Sequence, residues 1–135
     1  MNSPLILGKV AAIERSVARA REEFTAGGEN FVRDFTRQDA AILNILRGCE
    51  LAIDLANILI RERRLGIPQS SRDSFKLLAD AQLIAPELSA SLQRMIGFRN
   101  IAVHQYQAIE LPIVEAILER DLDALLTLCR SIVQL

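Results

Sequence analysis

Apolar residues recur every three or four positions along almost the whole chain, which is the signature of helices packed by one face. Ile6, Val10, Ile13, Val17, Ala20 and Phe24 share such a face, with Lys9, Arg15, Arg19, Arg21, Glu22 and Glu23 opposite. Ser3 before Pro4 is a good start for this first helix, and Thr25–Gly28 is a good stop. After a connector around Glu29–Phe35, Thr36 is a candidate cap for a long second helix, with Asp39 near its positive end. Its body, Asp39 to about Arg64, is apolar almost all round. The exceptions, Asn44, Arg47, Glu50, Asp54, Asn57 and Arg61, are spaced three or four apart and form one narrow stripe, facing either water or a polar cleft.

Leu65–Pro68 ends that helix, and the polar stretch Gln69–Ser74 leads to a short helix from Phe75 to about Ala81, with Asp73 or Ser74 as cap. Pro86 opens another helix, carrying Leu88, Leu92, Met95 and Ile96 at least as far as Arg99. Leu111–Leu135 gives one or two more, with Asp121 as the break. The pattern predicts an all-α, single-domain antiparallel bundle of four to six helices spanning 1–135.

Composition narrows the function. Six glycines and four prolines are too few for a many-turned β sandwich or barrel. Sixteen basic against seventeen acidic residues leave a net charge of −1, which excludes a basic coat that grips nucleic acid by charge alone but allows a local patch. Fourteen of the cations are Arg, a planar donor suited to carboxylate or phosphate, although a general composition bias produces the same ratio. Cys49 and Cys129 each fall in an apolar helical pattern and read as two buried thiols in a reducing compartment. With His104 the only histidine, no zinc ligand set can be assembled, and no cofactor is expected. The segment Met1–Leu7 lacks the features of a signal peptide, and no long apolar run is present, so a soluble cytoplasmic protein with no membrane partner is expected.

The candidate chemistry lies in Met95–Tyr106, where Arg99, Asn100, the only His and the only Tyr fall within eight residues. In a continuous helix Arg99 and Tyr106 share a face, as do Asn100 and His104, whereas Arg99 and His104 diverge by about 140°. A cooperating Arg99–His104 pair therefore needs a helix ending near His104, or donors from two copies meeting at a symmetry axis. In the absence of such a site, Arg99 would serve as a helix-end partner, His104 as a satisfied imidazole and Tyr106 as a loop anchor. Glu50 and Asp54 can orient Arg99 or His104 across a cleft, or form a solvated Arg47–Glu50–Asp54 network. Arg61, Arg63 and Arg64 suit the negative pole of the long helix; Arg15, Arg19 and Arg21, on the outer face of the first helix, are either solvated charges or a hold for an RNA backbone or an acidic partner surface.

Arg99-x4-His104-x-Tyr106, with Asn100 after the arginine, resembles the signature of the HEPN superfamily and is most similar to its HepT branch, the toxin half of HepT/MNT toxin–antitoxin pairs. Ala20–Phe24, Gln38–Asn44, Cys49–Ala56, Leu65–Pro68 with Ser70–Asp73, and Met95–Asn100 extend the resemblance over most of the chain. It implies a helical homodimer whose motif segments line a shared cleft, and a metal-independent endoribonuclease. It also implies an MNT-type nucleotidyltransferase antitoxin, joined with the toxin in a larger hetero-oligomer, that transfers AMP onto Tyr106.

These residues suit that chemistry. Metal-free RNA cleavage uses the 2′-hydroxyl as internal nucleophile and yields a 2′,3′-cyclic phosphate and a free 5′-hydroxyl. His104 can exchange protons near neutral pH, Arg99 can hold charge growing on phosphate oxygens, and Asn100 can orient the imidazole or a phosphate oxygen. AMP on Tyr106 would set a bulky anion where substrate phosphate should lie. The alternative is a non-catalytic helical dimer that only binds a nucleotidyltransferase; a purely structural helical subunit is a third reading.

Overall fold

The computed structural model describes residues 3–135; Met1 and Asn2, at the head of the segment read as carrying no leader, lie outside the described residues. Six α-helices follow one another: α1 Pro4–Gly27, α2 Phe35–Arg63, α3 Ser71–Asp80, α4 Pro86–His104, α5 Leu111–Ala116 and α6 Leu122–Val133. A 3₁₀ segment, Gly28–Arg33, joins α1 to α2, a 3₁₀ turn covers Tyr106–Ala108, and a π turn, Ile117–Asp121, fuses α5 to α6. Among the described residues there is no strand, and no helix is long and apolar enough to cross a membrane.

The helix ends follow from local chemistry. Ser3 Oγ accepts from the Ile6 amide at 3.2 Å and Pro4 takes the first helical position. At the far end Gly28 adopts φ +53°, a left-handed conformation that a side chain disfavours. The start of α2 differs from expectation: Asp34, not Thr36, is the cap, its carboxylate accepting from the Arg37 amide at 3.1 Å. The second difference is at α3, which begins at Ser71 and is capped by Ser70 rather than Asp73 or Ser74. Ser70 Oγ accepts from the Asp73 amide, and the Asp73 carboxylate reaches back to the Gln69 amide at 2.9 Å, so the two polar side chains satisfy opposite sides of the same turn. Asp121 ends a π turn instead of breaking the helix.

Polar contacts give the topology. Lys9 reaches Asp54 and Glu23 reaches Arg37, while Ser16 faces Gly48, so α1 and α2 run antiparallel. Glu50 meets Arg99 and Asp39 meets Tyr106, so α4 also runs antiparallel to α2. Arg21 pairs with Asp123, tying α1 to α6. Between these helices Ile13, Ile45, Leu55, Leu78, Leu92, Leu122 and Leu125 are at most 1% exposed. Phe24 and Phe31 meet edge to face at 5.0 Å under the α1–α2 connection. At Gly48 α6 packs tightly on α2: a Cβ there would stand 2.9 Å from Leu125 Cδ1. Cys49 and Cys129 are both buried free thiols, and burial pushes each up to about 12.

Candidate active site

The long helix α2 presents its polar stripe unevenly. Asn44 is buried and donates to the Ala40 carbonyl at 2.9 Å, and Asn57 accepts from the Ser74 hydroxyl at 2.7 Å. Arg47, Glu50, Asp54 and Arg61 face outward. The Arg47–Glu50–Asp54 network allowed by their spacing does not form. Asp54 goes to Lys9 at 3.5 Å and Glu50 goes to Arg99, because α1 and α4 bring cations to opposite flanks of the stripe. Arg47 instead borders a groove of 670 Å³ together with Arg15, Arg19 and Glu50. Arg19 is occupied by Glu22 and Glu23, whereas Arg15 and Arg47 make no ion pair among the described residues. Arg21, also on α1, is held by Asp123.

Helix α4 delivers the motif. It continues without a break to His104 and closes when the Gln105 amide donates to the Ile101 carbonyl at 2.7 Å. The Arg99 guanidinium is fastened on two sides. Its Nε donates to Glu50 Oε1, Nη2 makes an ion-pair contact with the same oxygen, and Nη1 donates to Asn100 Oδ1 at 2.9 Å. A guanidinium has five N–H donors, so hydrogens on both terminal nitrogens remain for an anion. The Arg99 side chain is 22% exposed, enough to be reached from solvent yet not free to wander.

His104 is the last residue of α4 and is exposed; among the described residues none hydrogen-bonds its imidazole. Five positions on a continuous helix set Arg99 and His104 about 140° apart, one turned to α2 and the other to a different side of the helix. Ile101 and Val103, between them, are 47% and 55% exposed.

Tyr106 opens the 3₁₀ turn after α4, and its hydroxyl donates to Asp39 Oδ1 on α2. Partial burial and the adjacent Asp39 carboxylate push the phenol up to about 12, since both disfavour phenolate. Asp39 is the contact that the sequence did not reveal. Its only visible signal was an acid near the positive end of a helix, and the partner lies 67 positions away.

An all-α bundle that carries Arg-x4-His-x-Tyr across the end of one helix defines a HEPN-type domain. The Ribonuclease HepT-like family model matches residues 13–132, and the chain belongs to that family. It is 48% identical over 119 residues to the mRNA nuclease HepT of Shewanella oneidensis, covering 88% of this chain and 89% of that protein. Among solved structures, a toxin–antitoxin with AMP-PNP aligns with a TM-score of 0.94 at 43% identity, over 98% of this chain and 100% of that one. A tri-AMPylated HEPN toxin of Shewanella oneidensis in complex with MNT antitoxin aligns with a TM-score of 0.93 at 44% identity, over 98% and 99% of the two chains.

Proposed function

We propose that this chain is the toxin of a toxin–antitoxin pair: a cytoplasmic, metal-independent endoribonuclease that cleaves RNA with Arg99 and His104. An MNT-type nucleotidyltransferase neutralises it by transferring AMP to Tyr106. The carrying observation is the Arg99 guanidinium, held by Glu50 and Asn100 with donors to spare, on the helix whose last residue is an exposed His104.

The steps follow from these groups. RNA supplies its own nucleophile in the 2′-hydroxyl, so the protein has to move protons and stabilise charge. His104 takes the 2′-hydroxyl proton or returns one to the leaving 5′-oxygen. Arg99 offers its remaining N–H donors to the phosphate oxygens as charge builds on them. Asn100 holds Arg99 in register, and Glu50 fixes the guanidinium plane. The products are a 2′,3′-cyclic phosphate and a 5′-hydroxyl. Arg15 and Arg47, without ion-pair partners among the described residues, border a groove beside Glu50 suited to the RNA backbone.

The divergence of Arg99 and His104 along α4 favours a homodimer, in which each copy completes the other's cleft. Exposed Ile101 and Val103 provide apolar surface for such a contact beside the motif. Tyr106, 47% exposed, is open to a modifying partner, and the toxin and antitoxin together form a larger hetero-oligomer.

Unmodified protein, purified without its antitoxin, should cut RNA in excess chelator, and Arg99→Ala and His104→Ala should each lower the rate by about 10²-fold or more. Cleavage that persists in both variants sinks the nuclease reading. A monomer at working concentration by analytical ultracentrifugation sinks the shared cleft.

A further inference from the structure

The Asp39–Tyr106 hydrogen bond is unlike the other surface polar contacts. Most of those join a cation to an acid, whereas this one joins a carboxylate to a neutral phenol at the lip of a 160 Å³ cleft. The cleft walls are Phe35, Gln38, Ile42, Ile109, Leu111 and Val114, none of them charged. Arg37, the cation nearest to Asp39 along α2, is committed to Glu23 and Asp34. Among the described residues Asp39 therefore has no cationic partner. The other titratable groups near Tyr106 along the chain are His104, at the end of α4, and Glu110, before α5.

A phenol is a poor nucleophile until its proton leaves. With its titration pushed up to about 12, only about one Tyr106 in 10⁵ is phenolate at neutral pH. A group that receives the proton as the new bond forms removes that obstacle, and it must stand within hydrogen-bond reach of the hydroxyl. Asp39 already accepts from it.

We propose that Asp39 is the general base for nucleotidylation of Tyr106, an inference that rests on the proposed modification of that tyrosine. The donor is a nucleoside triphosphate carried by the nucleotidyltransferase. Tyr106 Oη forms a bond to the α-phosphorus while the bond from that phosphorus to the α–β bridging oxygen breaks. Pyrophosphate leaves with the bonding electron pair, and the phenolic proton passes to Asp39 Oδ1 and then to water. The product is an aryl phosphodiester with no O–H to donate and a negative charge facing Asp39, so the original hydrogen bond cannot re-form. The contact that promotes modification is thus removed by it, which frees the Tyr106–Ala108 turn from α2.

The test is single-turnover transfer from ATP in the reconstituted toxin–nucleotidyltransferase complex, read by mass spectrometry at Tyr106 from about pH 6 to about pH 9. The ratio of wild-type to variant rate cancels the partner's own pH dependence. Asp39→Asn is expected to slow transfer by about 10²-fold near neutrality, with the deficit shrinking by up to about tenfold per pH unit as hydroxide generates phenolate. Asp39→Glu keeps a carboxylate and should recover part of the rate, with a ratio to wild type independent of pH. Asp39→Ser supplies a second carboxylate-free variant, and far-ultraviolet circular dichroism confirms that each is folded.

Asp39→Asn and Asp39→Ser at the wild-type rate overturn the inference while leaving the modification intact. So does a deficit that stays constant with pH, which would make Asp39 only a positioning group. Wild-type protein left unmodified at Tyr106 instead overturns the reading on which the inference rests.

Discussion

Glu50→Gln separates the two roles a carboxylate beside the proposed catalytic arginine can have. In the wild type Glu50 Oε1 accepts from Arg99 Nε and lies in ion-pair contact with Nη2, fixing the guanidinium plane, while its charge also opposes an approaching phosphate. Glutamine keeps the shape and removes the charge. The side chains are 22% and 50% exposed, so water screens the pair and unfolding free energy should fall by less than about 1 kcal/mol. Asn100 still holds Nη1, so Arg99 is loosened rather than released. A loosened donor should lower kcat about tenfold, equivalent to about 1.4 kcal/mol of transition-state stabilisation. Binding should move the opposite way. A unit charge within several ångströms of a phosphate in water is worth roughly 0.5–1 kcal/mol, so removing it should lower KM about two- to fivefold at low salt. Steady-state cleavage of a fluorescent RNA oligonucleotide, beside a thermal melt, measures all three. A kcat equal to or above that of the wild type would show that Glu50 does not orient Arg99 for the reaction.

Two further expectations concern packing and titration. Gly48→Val should cost about 1–3 kcal/mol in urea denaturation, because its side chain would intrude on Leu125 in the buried α2–α6 contact; wild-type stability would mean that α6 moves aside freely. Tyr106 is the only tyrosine and there is no tryptophan, so phenolate absorbance reports it alone. The folded chain should ionise near 12 and the denatured chain near 10. Because the folded form keeps its phenolic proton to higher pH, this group's stabilisation is complete below about 10 and is lost as pH rises through about 12. A folded-state midpoint near 10 would refute the Asp39 contact.

Local chemistry was legible wherever one residue type had one possible role. Ser3 before Pro4, the Thr25–Gly28 stop and Pro86 each mark a helix end with no nearby competitor. The starts of α2 and α3 were harder, because Asp34 competes with Thr36, and Ser70 with Asp73 and Ser74, within a few residues. Apolar periodicity cannot arbitrate there: Phe35, the first residue of α2, is 73% exposed and contributes nothing to the core pattern. The candidate site divides in the same way. Arg99, Asn100, His104 and Tyr106 were visible because they lie close together in one segment. Lys9 as the partner of Asp54 was not, and Glu50 was left between Arg99 or His104 across a cleft and Arg47 on its own helix, since a stripe of charges permits pairing along itself as readily as across to its neighbours.

The amino-acid sequence by itself determined an all-helical chain, the approximate extent of its helices and the segment in which its candidate reactive groups gather, because each of these depends on neighbours a few residues apart. Tertiary structure alone decided that Lys9 would take Asp54, that Arg99 would be clamped by Glu50, and that the Tyr106 hydroxyl would meet Asp39. Those contacts join residues 45, 49 and 67 positions apart. Their geometry follows from how α1 and α4 pack against α2, and that is set by the whole buried core rather than by any local run of residues.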